Sequence, residues 1–199
     1  GKIISFGAGI LLSYLILDLF PRLYTNFIFF NKILFLFVLL GFSLFYLTEE
    51  YIYQHASKQK KLKELKEVHS MAFFLYYLII GIILKSITEK NFLDGLLLFF
   101  PLIFHTTLGT LSLNELHKSV KENTTMKTIL SFSPLFGIIT AFFINFSEVF
   151  KHSLLGFISG AMLFIVIREV IPKENKGAPM DFLLGISVYS ILIISTWLI

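Results

Sequence analysis

His105 sits in the apolar stretch FFPLIFHTTLGTL, and on a helix it would share one polar stripe with Thr106, Gly109, Thr110 and Asn114. An ionisable side chain at membrane depth marks a functional site by default, with an interhelical hydrogen bond to Thr or Tyr as the bland alternative. A neutral imidazole offers a metal one bond and no charge. Zinc takes about four ligands, and a dehydrated dication in hydrocarbon needs compensating negative charge. With no cysteine in the chain, the sequence supports at most a weakly bound divalent metal ion at His105 and no firm cofactor. Asp18, near the far end of the first apolar run, would draw cations to an entrance or sit among lipid headgroups. The string Asn91-x-x-Asp94-Gly95 reads as an acid opening a helix, where the dipole favours it. His55 and His69 are isolated, and Arg168 and Glu169 fall at a helix end.

These residues need elements to hold them, and the composition says which. Of 199 residues 56% are hydrophobic, 15% are charged and mean hydropathy is +0.80; a soluble domain carries about 25% charge. The charges collect between apolar runs at about 3–20, 29–48, 70–87, 92–113, 128–149, 153–171 and 181–199. The first run has a signal peptide's length but no small-residue cleavage site after it, so it reads as a span. The expectation is all-α: a polytopic membrane helix bundle of about seven transmembrane helices, with 1–199 one membrane domain and 54–69 a basic cytoplasmic loop. Thr88 to Asn91 makes a tight hairpin between the third and fourth spans, and Pro101 and Pro134 predict kinks. Ser5, Gly9 and Ser13, then Ser133, Gly137 and Ala141, then Gly156 and Gly160 recur every four residues, the spacing that lets helices approach closely in lipid.

With 54–69 inside, twelve Lys and Arg residues fall on the inner side. Only Arg22, Lys32, Lys85, Lys90 and Lys151 fall outside. The positive-inside rule then sets the N-terminus in the cytoplasm and the C-terminus outside, with Tyr24 and Trp197 near the outer interface and Tyr51 and Tyr53 near the inner one. The bilayer is the expected partner, together with a second copy of the chain or another membrane subunit. No basic face exists for nucleic acid.

Three stretches resemble helices of the ZIP (Zrt/Irt-like) metal transporters. SFGAGILLSYLILDLFP, from Ser5 to Pro21, is similar to the family's second helix. LLGFSLFYLTEEYIYQH is similar to its third, and LLGFISGAMLFIVIREVIP, from Leu154 to Pro172, to its seventh. SPLFG from Ser133 is similar to part of the sixth. The resemblance implies that the seven spans match helices two to eight of eight, which gives the same orientation as the charge count and leaves room for a helix before Gly1. It places the metal between the family's fourth and fifth helices. Aligned on Gly81, the fourth-helix positions become Tyr76, Tyr77 and Ile80. Aligned on His105, the fifth-helix positions become Thr106 and Gly109, while Ser133 stands where the sixth helix often has Glu. Of that set one ligand, His105, remains. His105, Thr106, Gly109, Thr110, Tyr76, Tyr77, Ser133 and Asp18 are therefore candidates for a substrate path, with Tyr76, Tyr77 and His105 facing a common interior.

Three readings compete. The first is a ZIP-like transporter of zinc, iron or another substrate, with a degenerate metal site and no enzymatic activity. The second is a non-transporting ZIP-like subunit that regulates or binds a partner. The third is an intramembrane metalloprotease, because Glu49-Glu50 and His105 faintly resemble the prenyl-endopeptidase type. In this chain Gln54 replaces the Arg of that motif, and Phe100 is one residue too far from His105.

Overall fold

The structure is a computed structural model that describes residues 2–25, 31–55, 61–116, 124–170 and 178–198; several side chains, among them those of 61–70 and 105–116, lie outside the description. All regular structure among these residues is helical. In order it comprises α1 (Lys2–Tyr14), a π-helical turn (Leu15–Leu19), α2 (Phe20–Thr25), α3 (Asn31–His55), α4 (Lys61–Lys90), α5 (Phe92–Leu116), α6 (Thr124–Phe143), α7 (Glu148–Val170) and α8 (Pro179–Thr196). Tyr14 and Phe20, on either side of the π turn, both keep right-handed helical backbone, so α1, the turn and α2 form one rod. Local chemistry sets several ends. Asn91 Oδ1 accepts from the Leu93 N–H at 2.9 Å and Ser147 Oγ from the Phe150 N–H at 3.3 Å, while Pro179 opens α8. α5 and α6 run on through Pro101 and Pro134. Of the basic 54–69 segment, the residues from Lys61 form the first turns of α4.

Among the described residues four helical stretches, Lys2–Tyr24, Met71–Lys90, Glu148–Arg168 and Pro179–Thr196, are long and apolar enough to cross a bilayer; Lys32–Thr48, Phe92–Phe104 and Thr128–Phe143 are shorter apolar helices. The outside of the bundle is correspondingly oily. Leu39, Leu40 and Leu47 on α3, Phe132, Phe136 and Phe142 on α6, and Leu184, Val188 and Ile191 on α8 are all exposed. A surface of that kind is stable against hydrocarbon and a liability in water. Inside, Ser13, Ser86 and Ser159 are buried with their hydroxyls donating to carbonyls four residues earlier, at 2.9, 2.9 and 2.7 Å. That lets a polar side chain sit in a dry interface.

Three close crossings organise the bundle: α1 with α8, α3 with α7, and α4 with α6. Each is parallel. Ser5 lies by Ala178 and Ser13 by Ile186, and Ser133 Oγ donates to the Phe74 carbonyl at 2.5 Å. Each crossing is also reciprocal. A β-carbon on Gly9 would overlap the Phe182 carbonyl, and one on Gly185 the Phe6 carbonyl. Gly41 meets Phe157 while Gly160 meets Val38, and Gly81 meets Pro134 while Gly137 meets Leu78. In all six cases the carbonyl belongs to the residue three before the partner glycine. Backbones this close forbid any larger residue.

Two of these crossings are copies of each other, inverted. α1 with its π turn shares with α7 Phe6/Phe157, Gly9/Gly160, Leu12/Leu163 and Ile16/Ile167 at equal spacing, and α3 and α8 share Leu39/Leu183, Leu40/Leu184, Gly41/Gly185 and Ser43/Ser187. Exchanging α1 for α7 and α8 for α3 carries one set of glycine contacts onto the other. Yet α1 and α7 run in opposite directions, because Arg22, beyond the end of α1, shares a cavity with Glu148 and His152 at the start of α7. The helices thus alternate in direction along the chain, and the successive helices α1 and α3 recur as α7 and α8 in inverted topology.

Candidate functional site

At the Arg22 end of the bundle, four helices bring charged residues together around a cavity of about 240 Å3. Its construction begins at the π turn. One wide turn in an α-helix shifts the register of every residue after it, and such turns gather at functional sites. Here the turn carries Asp18, buried at 6% exposure. One helical turn later Arg22 clamps that carboxylate with a fork, Nε to Oδ2 at 2.7 Å and Nη2 to Oδ1 at 2.8 Å, and extends Nη1 to Asp94 Oδ2 at 2.8 Å. Bidentate guanidinium–carboxylate geometry is the strong form of the ion pair. Asp94 lies in the first turn of α5, positioned by the Asn91 cap.

Across the cavity a second chain of charges mirrors the first in sign. Lys90 at the end of α4 reaches Glu148 Oε2 at 2.5 Å, and Lys151 reaches Glu148 Oε1 at 2.9 Å. His152, buried, has Nδ1 2.7 Å from the Glu148 carbonyl, so that nitrogen carries the hydrogen. Ser86 and the apolar Ile83, Ile87 and Leu155 complete the lining. Asp–Arg–Asp faces Lys–Glu–Lys.

The residues singled out from sequence fall in several places. Asp18 belongs to the cluster just described, as a buried ion-paired residue and not one solvated among headgroups. Tyr76 and Tyr77 lie together in an aromatic cluster, with ring centroids 5.5 Å apart, Tyr76 5.9 Å from Phe45 and 6.4 Å from Phe73. Ile80 is buried beside them. Ser133 is fully buried at the α4–α6 crossing. His105, Thr106, Gly109 and Thr110 belong to α5, which packs on α4 and α1, and their side chains lie outside the described set. Among the described residues no three His, Cys, Asp or Glu side chains converge as metal ligands.

Arg22, Lys90, Asp94, Glu148, Lys151 and His152 do not stand out together in the sequence. The signal that could have gathered them is positional: each stands at or near the end of an apolar run that meets the same face. Fold and site together define a helical membrane protein with a dipolar, charge-lined cavity at one end of its bundle. No family model, curated protein or solved structure matches the chain.

Proposed function

We propose that this protein is a ZIP-like membrane transporter that crosses the bilayer seven times and whose central metal site has been replaced by aromatic and aliphatic side chains. The N-terminus is cytoplasmic, the C-terminus is outside, and the charged cavity opens to the outer face. The observation that carries the reading is the inverted repeat of α1/α8 on α7/α3, with α4, α5 and α6 held against it. Inverted repeats are a recurrent architecture of secondary transporters, in which one helix group rocks against another. Alternating helix directions and the charge asymmetry support seven passes.

At the positions where the resemblance puts metal ligands, Tyr76, Tyr77 and Ile80 pack into the core. Neutral phenols and an alkyl chain cannot replace the waters a zinc ion must shed. Wild-type protein in liposomes loaded with a zinc-sensitive dye is expected to admit zinc no faster than empty vesicles. Tyr76→His, Ile80→Asp and Thr106→Glu combined is expected to restore influx. An inert triple variant, or wild-type influx abolished by His105→Ala, would count against the proposal.

One observation favours a second reading, a subunit that does not transport. Phe45, Phe73, Tyr76 and Tyr77 pack ring against ring between α3 and α4, at the level where the resemblance puts the path. The two readings differ in whether that cluster opens.

A further inference from the structure

The cavity at the Arg22 end is polarised. Its α4–α7 wall carries Lys90 and Lys151 around a single carboxylate, Glu148, a surplus of one positive charge. The opposite wall carries Asp94 and Arg22, with the buried Asp18 behind the guanidinium, so that one positive charge stands there against two negative ones. Lys85 and Glu89, in the last turns of α4 just before Lys90, pair with each other at 2.6 Å and leave the balance unchanged. Between the walls the lining is Ile83, Ile87 and Leu155 with the hydroxyl of Ser86. A simple cation is favoured by one wall and opposed by the two lysines of the other, and a simple anion meets the reverse. A solute with an anion at one end and an ammonium at the other complements both.

Position and size narrow the choice. The apolar stretches Met71–Lys90 and Glu148–Arg168 end and begin at the lysine wall, so the cavity lies at the level where hydrocarbon gives way to headgroups. About 240 Å3 is below the range of drug-sized ligand sites and suits a group of a few heavy atoms. Two lysine ammoniums that meet at the Glu148 carboxylate each have further donors to offer a phosphate beside it, whereas Asp94 can accept from an ammonium. We propose that this cavity binds the phosphoethanolamine zwitterion, phosphate against Lys90 and Lys151 and ammonium against Asp94, taken either as the headgroup of a phospholipid or as the free compound. Binding there does not require transport, so failure of the site and failure of the transporter reading are separable.

Titration calorimetry on the detergent-purified full chain tests it with three probes: O-phosphoethanolamine, inorganic phosphate and ethanolamine. The zwitterion is expected to bind at least about tenfold more tightly than either half, the factor that one charge-assisted contact supplies. Lys90→Gln, at a side chain 61% exposed and therefore tolerant of change, is expected to weaken phosphoethanolamine and phosphate alike and leave ethanolamine unchanged. Asp94→Asn is expected to weaken phosphoethanolamine and ethanolamine and spare phosphate. Should that variant fail to fold, the three-probe comparison and Lys90→Gln still decide. The source is read by native mass spectrometry from nanodiscs of mixed phosphatidylethanolamine and phosphatidylglycerol. Selective retention of the former, lost in Lys90→Gln, identifies the headgroup; binding without selective retention identifies the free compound. Phosphate binding as tightly as phosphoethanolamine, or no probe binding at all, overturns the proposal.

Discussion

Arg22 Nη1 donates to Asp94 Oδ2 at 2.8 Å, joining two residues 72 apart in sequence and fastening α2 to the first turn of α5. The same guanidinium holds the buried Asp18 with its other two nitrogens. One side chain therefore compensates two carboxylates, one of them with almost no access to solvent.

Removing Arg22 is accordingly expected to cost more than removing either partner. Arg22→Gln leaves Asp18 charged and buried without its counterion, a loss of about 3 kcal/mol. Adding Asp18→Asn to Arg22→Gln removes the stranded charge and is expected to recover part of that loss, so the two changes are not additive. Thermal unfolding of the single and double variants in detergent measures this.

The glycine crossings make a ranked prediction. A β-carbon at Gly160 would overlap the Val38 carbonyl outright, whereas at Gly156 its nearest neighbour, the Leu34 carbonyl, lies 2.8 Å away. Gly160→Ala is expected to destabilise the α3–α7 pair by about 2 kcal/mol and Gly156→Ala by clearly less. By the inverted repeat, Gly185→Ala at the α1–α8 crossing should resemble Gly41→Ala at α3–α7. The order of midpoints in a detergent unfolding series checks both statements.

Orientation is tested most simply with single cysteines, which a cysteine-free chain reports without background. Lys90→Cys is expected to react with a membrane-impermeant thiol reagent added outside intact cells, and Lys61→Cys only after permeabilisation. The reverse pattern would invert the topology.

The lipid-facing surface predicts which apolar positions refuse a charge. Leu184 on α8 is 56% exposed, toward what would be hydrocarbon. Leu184→Lys is expected to weaken insertion of that helix by about 3 kcal/mol. Met180→Lys, on the same helix at its N-terminal end and also exposed, should be nearly neutral because the ammonium can reach the interface. A glycosylation-site insertion assay reads the difference.

The seven helical rods among the described residues were legible because apolar runs are long and the charges between them are dense. The boundaries were less so. α4 is already helical at Lys61, well before the apolar run, because Lys, Leu and Glu are strong helix formers. The expected span 128–149 absorbed Glu148, but α6 ends at Phe143 and Ser147 caps a new helix, which returns Glu148 to a polar helix start. Interfaces were half legible. Gly9, Gly137, Gly156 and Gly160 stand in four-residue small repeats, whereas Gly41, Gly81 and Gly185 have no small residue four positions away on either side. Their role emerges only from the helix they meet. The π turn at Leu15–Leu19 left no mark in the composition. The charged cavity escaped for a different reason: its residues come from four helix ends far apart in sequence, and only the packing of α2, α4, α5 and α7 brings them together.

The account turns on whether the bundle opens to each side of the membrane, and Ile80 is the position to ask. It is 3% exposed and sits on the apolar stretch of α4 between the Tyr76–Tyr77 cluster and Ile83, where the lining of the charged cavity begins on that helix. In an Ile80→Cys variant reconstituted in liposomes, a membrane-impermeant thiol reagent is supplied from one face at a time. A transporter predicts slow reaction from both faces, because each state exposes the centre to one side. No reaction from either face would contradict it and leave a membrane subunit whose core stays shut; reaction from one face only would contradict it and leave a crevice open to a single side.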